Sequence, residues 1–269
     1  MTATEAEPRP IAIHPSQKPW ANNANRDALV RAFSFQSDRV DYLLNISTFF
    51  RCVYFETPKV ACSTIKRALQ EAEIDRTGGA LPDDVHDKTV SPLRSPSDIT
   101  VPLPTLFSGD TYFRFTFVRN PYTRILSAYL DKIVKNDWER RRHYPALGFR
   151  LEDRPTFLDF LTKVEMQTNL ERDIHWLPQS ELLAWDRIQM HFIGRFEAFG
   201  PYFTLLGRKL YGSSSEKYCA ARIDNHQTNA AELVKQHVGP KERDIIERIY
   251  NRDFDLYCYN RDPHFASLG

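Results

Sequence analysis

The stretch from Phe50 to Gln70, FRCVYFETPKVACSTIKRALQ, constrains the fold more than any other part of this chain. Cys52 to Glu56 is aromatic and β-branched over a length suited to a buried strand, while the residues after Ser63 have helical composition, with Ile65, Ala68 and Leu69 on one face. A strand that passes through a tight turn straight into a helix is a building unit of an α/β domain. In the turn, Pro58 to Thr64, the residues Val60, Ala61 and Cys62 are small or compact, so backbone N–H groups can close around an anion at the positive end of the new helix. Lys59 adds a charge, and Ser63 and Thr64 add hydroxyl donors. The alternative is an ordinary strand, turn and helix in which Ser63 only caps. A nucleotide-hydrolase phosphate loop is excluded, because that motif needs two glycines and a lysine after the turn.

A second unit of the same kind follows. Thr111 to Val118, TYFRFTFV, reads as a strand and runs into Arg119-Asn120-Pro121. Pro121 suits a first helical turn, and Ile125, Leu126, Tyr129, Leu130 and Ile133 mark an apolar stripe at helical spacing. Arg119 then falls at the carboxyl end of its strand, where ligands bind in open α/β sheets, and Ser127 lies on the helix beyond it. The competing reading places Arg119 and Arg124 in surface ion pairs and Ser127 in helix packing.

PKVACST resembles the 5′-phosphosulfate-binding loop of carbohydrate sulfotransferases (sulfotransferase family 2), the type that includes the chondroitin and HNK-1 enzymes, and FVRNPYTRILSAYLDK resembles their 3′-phosphate-binding motif. The resemblance implies 3′-phosphoadenosine 5′-phosphosulfate (PAPS) as co-substrate and adenosine 3′,5′-bisphosphate as product, with no metal. It places Lys59, Val60, Ala61, Cys62, Ser63 and Thr64 at the 5′ end of the cofactor and Arg119 and Ser127 at its 3′-phosphate, with Lys59 also catalytic. In this group a histidine often follows the first βα unit and faces the sulfuryl group, a role that falls to His86; Glu56 is the competing base. Thr228 and Asn229 match a polar closing loop near the cofactor. His175-Trp176-Leu177-Pro178-Gln179, Ile193 to Glu197 and the ending DFDLYCY also resemble the family and read as structural pieces first, with Trp176 in the aromatic core or, as the alternative, at the border of the adenine or acceptor pocket. The implied reaction is sulfuryl transfer to a hydroxyl, with a carbohydrate as acceptor. A nucleotide or sugar kinase of related architecture and a non-catalytic PAPS or nucleotide sensor are the alternatives.

Alternation of strands and helices predicts a three-layer α/β/α domain around a largely parallel sheet, and the resemblance makes it the P-loop-nucleotide-kinase-like sulfotransferase fold. With 269 residues and 42% hydrophobic content, residues 25–269 are expected as one domain after an irregular arm, residues 1–24. A helix is expected within Asn25 to Leu44, others over Pro155 to Val164 and Lys241 to Tyr250, and Gly78 to Pro96 should be irregular. Trp138 to Arg154 is basic and aromatic, a solvated face or an anionic-acceptor site. A formal net charge of +1 gives no case for a general nucleic-acid or membrane-surface binder. The cysteines at 52, 62, 219 and 258 have no metal-ligand spacing, so reduced thiols are expected, with a bridge from Cys219 to Cys258 as the alternative. No apolar signal core or membrane span is present, so a cytoplasmic chain is expected, whereas animal members of the family are anchored in the Golgi membrane. Oligomeric state stays open.

Overall fold

The computed structural model describes residues 21–33, 37–219 and 229–267. Its centre is a four-stranded sheet of β1 (Leu44–Ser47), β2 (Cys52–Phe55), β3 (Phe113–Val118) and β4 (Phe192–Arg195), in spatial order of the chain. β2, β3 and β4 are parallel, and β1 pairs antiparallel with β2 at one edge. The helices are α1 (Asn23–Ala32), α2 (Ser37–Leu43), α3 (Cys62–Thr77), α4 (Leu103–Phe107), α5 (Pro121–Tyr129), α6 (Asp137–Leu147), α7 (Phe157–Met166), α8 (Gln179–Leu182), α9 (Phe199–Tyr211), α10 (Ser215–Cys219), α11 (Ala230–His237) and α12 (Pro240–Leu256).

Strand periodicity sorts the sheet residues onto two faces. Cys52, Tyr54, Phe115 and Phe117 pack with Ile65, Ala68, Leu69 and Ala72 of α3, with Phe199, Phe203 and Leu206 of α9, and with α10. Val53, Phe55 and Val118 belong to the opposite and larger cluster, with α1, α2, α4, α5, α7, α11 and α12. Each face is covered, which explains why β2 and β3 read as nearly continuous apolar runs. The fold is therefore the expected α/β architecture, three layers with a mostly parallel sheet.

Two expectations are refined. The segment from Asn25 to Leu44 holds two helices, α1 and α2, and its end becomes β1, because Leu44 and Ile46 pair with Phe55 and Val53. α1 also begins at Asn23, inside the expected arm, capped by the Asn22 side chain. Residues 78 to 95 are irregular as expected, yet pinned at several points. Arg67 and Gln70 of α3 donate to the carbonyls of Pro82 and Val85 at 3.0 Å each, and Arg94 bridges Ile46. All four cysteines are free thiols. Among the described residues no helix is long and apolar enough to cross a membrane.

Candidate active site

Both strand–turn–helix units present their turns at the carboxyl ends of adjacent parallel strands, and the turns are bonded together. In the first turn Lys59 and Ala61 take positive φ values of 70° and 52°, with Val60 fully buried between them. Non-glycine residues enter this region at a cost, so a turn that does so twice is held there by its surroundings. Alternating backbone of this kind turns successive N–H groups inward, and α3, sixteen residues long, starts at Cys62 directly behind them. Lysine and alanine here take conformations for which the glycine-based motif relies on glycine.

Two arginines of the second unit supply the restraint. Arg119 Nη1 donates to the Lys59 carbonyl at 3.0 Å, and Arg124 Nε donates to the Pro58 carbonyl at 3.1 Å. Arg124 is buried and spends its other nitrogens on the carbonyls of Leu177 (2.8 Å) and Ile174 (3.0 Å). It is a structural clamp, not a surface ion-pair partner, because α5 is buried on every side. Arg119 Nε donates to Thr123 Oγ1, its guanidinium lies 4.3 Å from the Phe196 ring centre, and no described residue bonds its Nη2. Burial lowers its basicity to about 10, so it stays charged at neutral pH. Ser127 is buried on α5, three residues beyond Arg124 and so on the same face of the helix.

The segments that read as structural hold Arg119 in place. Gln179 clamps its backbone from both sides, accepting from Arg119 N and donating to Arg119 O, each at 2.9 Å. Asp253, from the DFDLYCY ending, accepts from the N–H groups of Gln179 (2.7 Å) and Ser180 (2.8 Å). Glu197 accepts from Asn120 N at 2.7 Å and from the Tyr259 hydroxyl at 3.0 Å. Trp176 is core, as expected. Nothing in one-dimensional spacing joins positions 119, 179 and 253.

Lys59 Nζ pairs with Asp131 at 3.0 Å. Burial lowers the ammonium below the usual lysine value, against the pull of Asp131. Asp131 lies on Leu130–Lys135, where the helix widens into a π-turn. From there a series of charges runs away from the turn. Asp131 meets Lys132 at 3.2 Å, Lys132 meets Glu139 at 2.5 Å, Glu139 lies 3.2 Å from His143 Nε2, and His143 Nδ1 is 3.9 Å from Asp173. Asp173 Oδ1 ends the series against His175 Nδ1 at 2.5 Å. The basic segment beginning at Trp138 is thus partly an inward-facing element through Glu139 and His143, while Trp138, Arg141 and Arg142 are exposed.

His86 lies beside the loop, with both ring nitrogens close to protein groups. Nε2 is 2.9 Å from Ser63 Oγ, and Nδ1 is 3.5 Å from the Tyr42 hydroxyl and 3.7 Å from Glu56. Burial, followed by the Lys66 charge, lowers His86 to about 4. Glu56 is buried and ion-paired with Lys66 at 2.8 Å; burial pushes its carboxyl up, but Lys66, His86 and Lys88 bring it below its ordinary value. Burial and then Glu56 push the Cys62 thiol up to about 11, so it stays protonated and contributes its backbone rather than a nucleophile. Asn229 precedes α11 at a positive φ of 49°, and Thr228 lies outside the described residues.

Two donor sets converge, Glu56 with Cys62 and His86, and His143 with Asp173 and His175. Lys66 already neutralises the first. In the second, 2.5 Å between His175 Nδ1 and Asp173 is hydrogen-bond spacing; two ligands of one tetrahedral ion with bonds of about 2.0 Å sit about 3.3 Å apart.

A mostly parallel sheet whose carboxyl edge carries a strained, arginine-braced turn ahead of a helix is the arrangement in which open α/β domains bind their ligands. Residues 44–260 match the model of the Sulfotransferase family, and the chain belongs to that family. It is 30% identical over 180 residues to carbohydrate sulfotransferase 10 of Danio rerio, covering 56% of this chain and 47% of that one. It is 28% identical over 230 residues to carbohydrate sulfotransferase 14 of Homo sapiens, covering 80% and 59%. To carbohydrate sulfotransferase 8 of Mus musculus it is 25% identical over 302 residues, covering 98% and 70%. The chain spans about half the length of the first two relatives. No solved structure matches it significantly.

Proposed function

We propose that this chain transfers the sulfuryl group of PAPS to a hydroxyl of a carbohydrate acceptor. The observation that carries the reading is the joining of two anion sites, the Lys59–Ala61 turn at the start of α3 and the Arg119 guanidinium bonded to it, at the ends of neighbouring parallel strands. Their chemistry fits a ligand with a phosphate at each end. Turn N–H groups and the first turn of α3, through Val60 to Thr64, receive the 5′ end, while Arg119 and Ser127 receive the 3′-phosphate. Asn229 borders the cofactor. The carbohydrate acceptor follows the names of the relatives, which are carbohydrate sulfotransferases.

Transfer is an in-line displacement in which the protein positions and neutralises rather than bonds. Lys59, drawn from Asp131, neutralises the oxygen that departs with the 5′-phosphate. A base of the crevice takes the acceptor proton; His86, beside Ser63 of the loop, is the candidate the sequence singles out. Thermal shift tests the binding half: adenosine 3′,5′-bisphosphate should raise the melting temperature more than AMP does, since a ligand bound only by the folded state stabilises it in proportion to saturation. Equal shifts would defeat the reading.

A further inference from the structure

His175 meets the geometric requirements of a proton acceptor better than His86, and no feature of its sequence context announces this. Its backbone is fixed on both sides. Arg124 holds the carbonyls of Ile174 and Leu177, and the Tyr250 hydroxyl donates to the Trp176 carbonyl at 2.6 Å. Its ring is fixed as well. Asp173 Oδ1 accepts from the His175 backbone N–H at 3.0 Å and from Nδ1 at 2.5 Å. With the proton on Nδ1 bonded to a carboxylate, the other nitrogen is left as a lone-pair acceptor, the arrangement by which an aspartate prepares an imidazole base. No described residue bonds His175 Nε2, and its side chain keeps 16% of its surface exposed. His86, by contrast, has partners at both nitrogens, and Glu56 is committed to Lys66.

His175 also stands on the correct wall. The series from Asp173 through His143, Glu139, Lys132 and Asp131 joins it to Lys59 of the loop, and the charges of Lys132 and Lys59 bear on it as it bears on His86. The groups whose charges or rings bear on it are Asp173 on its own segment, His143 (ring centres 6.1 Å apart) and Glu139 from α6, Lys132 from the π-turn, Lys59 from the loop and His86 from the irregular segment. The carboxylates favour the imidazolium that forms during reaction. Burial works the other way, lowering the resting His175 below its ordinary value and keeping it neutral before the substrate arrives.

Resting on the sulfotransferase reading, we infer that His175 is a catalytic base for the acceptor hydroxyl and that Asp173 is its positioning residue. The acceptor O–H bond breaks and its proton passes to His175 Nε2 as the new O–S bond forms. The S–O bond to the 5′-phosphate breaks, and its electron pair leaves on the phosphate oxygen facing Lys59. His175 then gives the proton to water.

The test compares wild type with His175→Gln, Asp173→Asn and His86→Gln, using bisphosphate thermal shift and turnover of labelled PAPS with chondroitin, or with water, as acceptor across pH. His175→Gln and Asp173→Asn should keep the bisphosphate shift and the KM for PAPS, lower kcat by roughly 100-fold or more, and lose the acid limb of the profile. His86→Gln should keep that limb. A measurement on the unmodified chain stands apart from any folding defect of the variants: nitrogen NMR should show His175 neutral with its proton on Nδ1 at pH 7. A protonated Nε2, or His175→Gln with rate and limb intact while wild type still binds the bisphosphate, overturns the assignment alone. Failure of wild type to bind the bisphosphate overturns the underlying reading and this assignment with it.

Discussion

The carbonyl of Lys59 accepts a 3.0 Å hydrogen bond from the Arg119 guanidinium, so the residue proposed to neutralise one end of the cofactor is tied through its backbone to the residue proposed to hold the other end. One side chain sets both the charge at the second site and the shape of the first. Function and stability are therefore coupled at Arg119, and the variants should reveal it.

Arg119→Ala should abolish the preference for adenosine 3′,5′-bisphosphate over AMP and also destabilise the fold. Leaving the Lys59 carbonyl without its buried donor costs about 1–3 kcal/mol. Arg119→Lys should recover part of the charge but not both bonds, because a planar fork becomes a point charge. Urea unfolding and thermal shift with each nucleotide check the two effects separately; a variant with wild-type stability and no preference would uncouple them.

Lys59→Ala should act on turnover. Its partner Asp131 is partly exposed, so their bond contributes modestly to stability, whereas a positioned donor at a developing negative oxygen is worth on the order of 100 to 1000 in kcat. The expected result is a large fall in kcat at nearly unchanged bisphosphate affinity. Weaker binding with full turnover would make Lys59 an anchor for the ground state.

Stability should decline in two steps as pH falls. His86 is lowered from 6.5 to about 4, by burial and then Lys66, so the unfolded chain takes up this proton first and stability is lost from pH 6.5 down through 4. Burial raises Glu139, but His143 and Lys132 outweigh it and bring the group from 4.5 to about 2. Its contribution is complete above 4.5 and is lost down through 2. In melting temperature against pH, His86→Gln should flatten the upper step and Glu139→Gln the lower one. An unchanged curve in either variant removes that group from the account.

Gly194 should tolerate no side chain. A Cβ there would lie 2.3 Å from the Phe117 ring, itself enclosed by Phe192, Phe199 and Phe203. Gly194→Ala should cost about 1–3 kcal/mol by overpacking, read as a lower denaturation midpoint at constant slope.

Local chemistry was legible wherever the chain itself brings the residues together. The two strand–turn–helix units, the loop at Lys59 to Thr64 and the placement of Arg119 at a strand end all follow from periodicity and composition within about twenty residues. Even the irregularity of residues 78 to 95 was readable from its glycines and prolines. The short β1 was not, because Leu44 to Ser47 continues the apolar pattern of α2 and becomes a strand only by pairing with β2.

Tertiary structure decided what each polar residue does. Arg124 could be read as a surface charge until three carbonyls from two distant loops surrounded it. Gln179, Glu197 and Asp253 became the frame of Arg119 only when hydrogen bonds closed across 60 to 77 positions of sequence. His175 is bonded through Nδ1 to Asp173, and the backbone on either side of it is held by Arg124 of α5. The physical reason is common to all of them. Apolar periodicity is a property of neighbours along the chain, whereas the state of a buried polar group depends on which donors and charges the fold brings within 3 or 4 Å of it, at the few-ångström range where such interactions act.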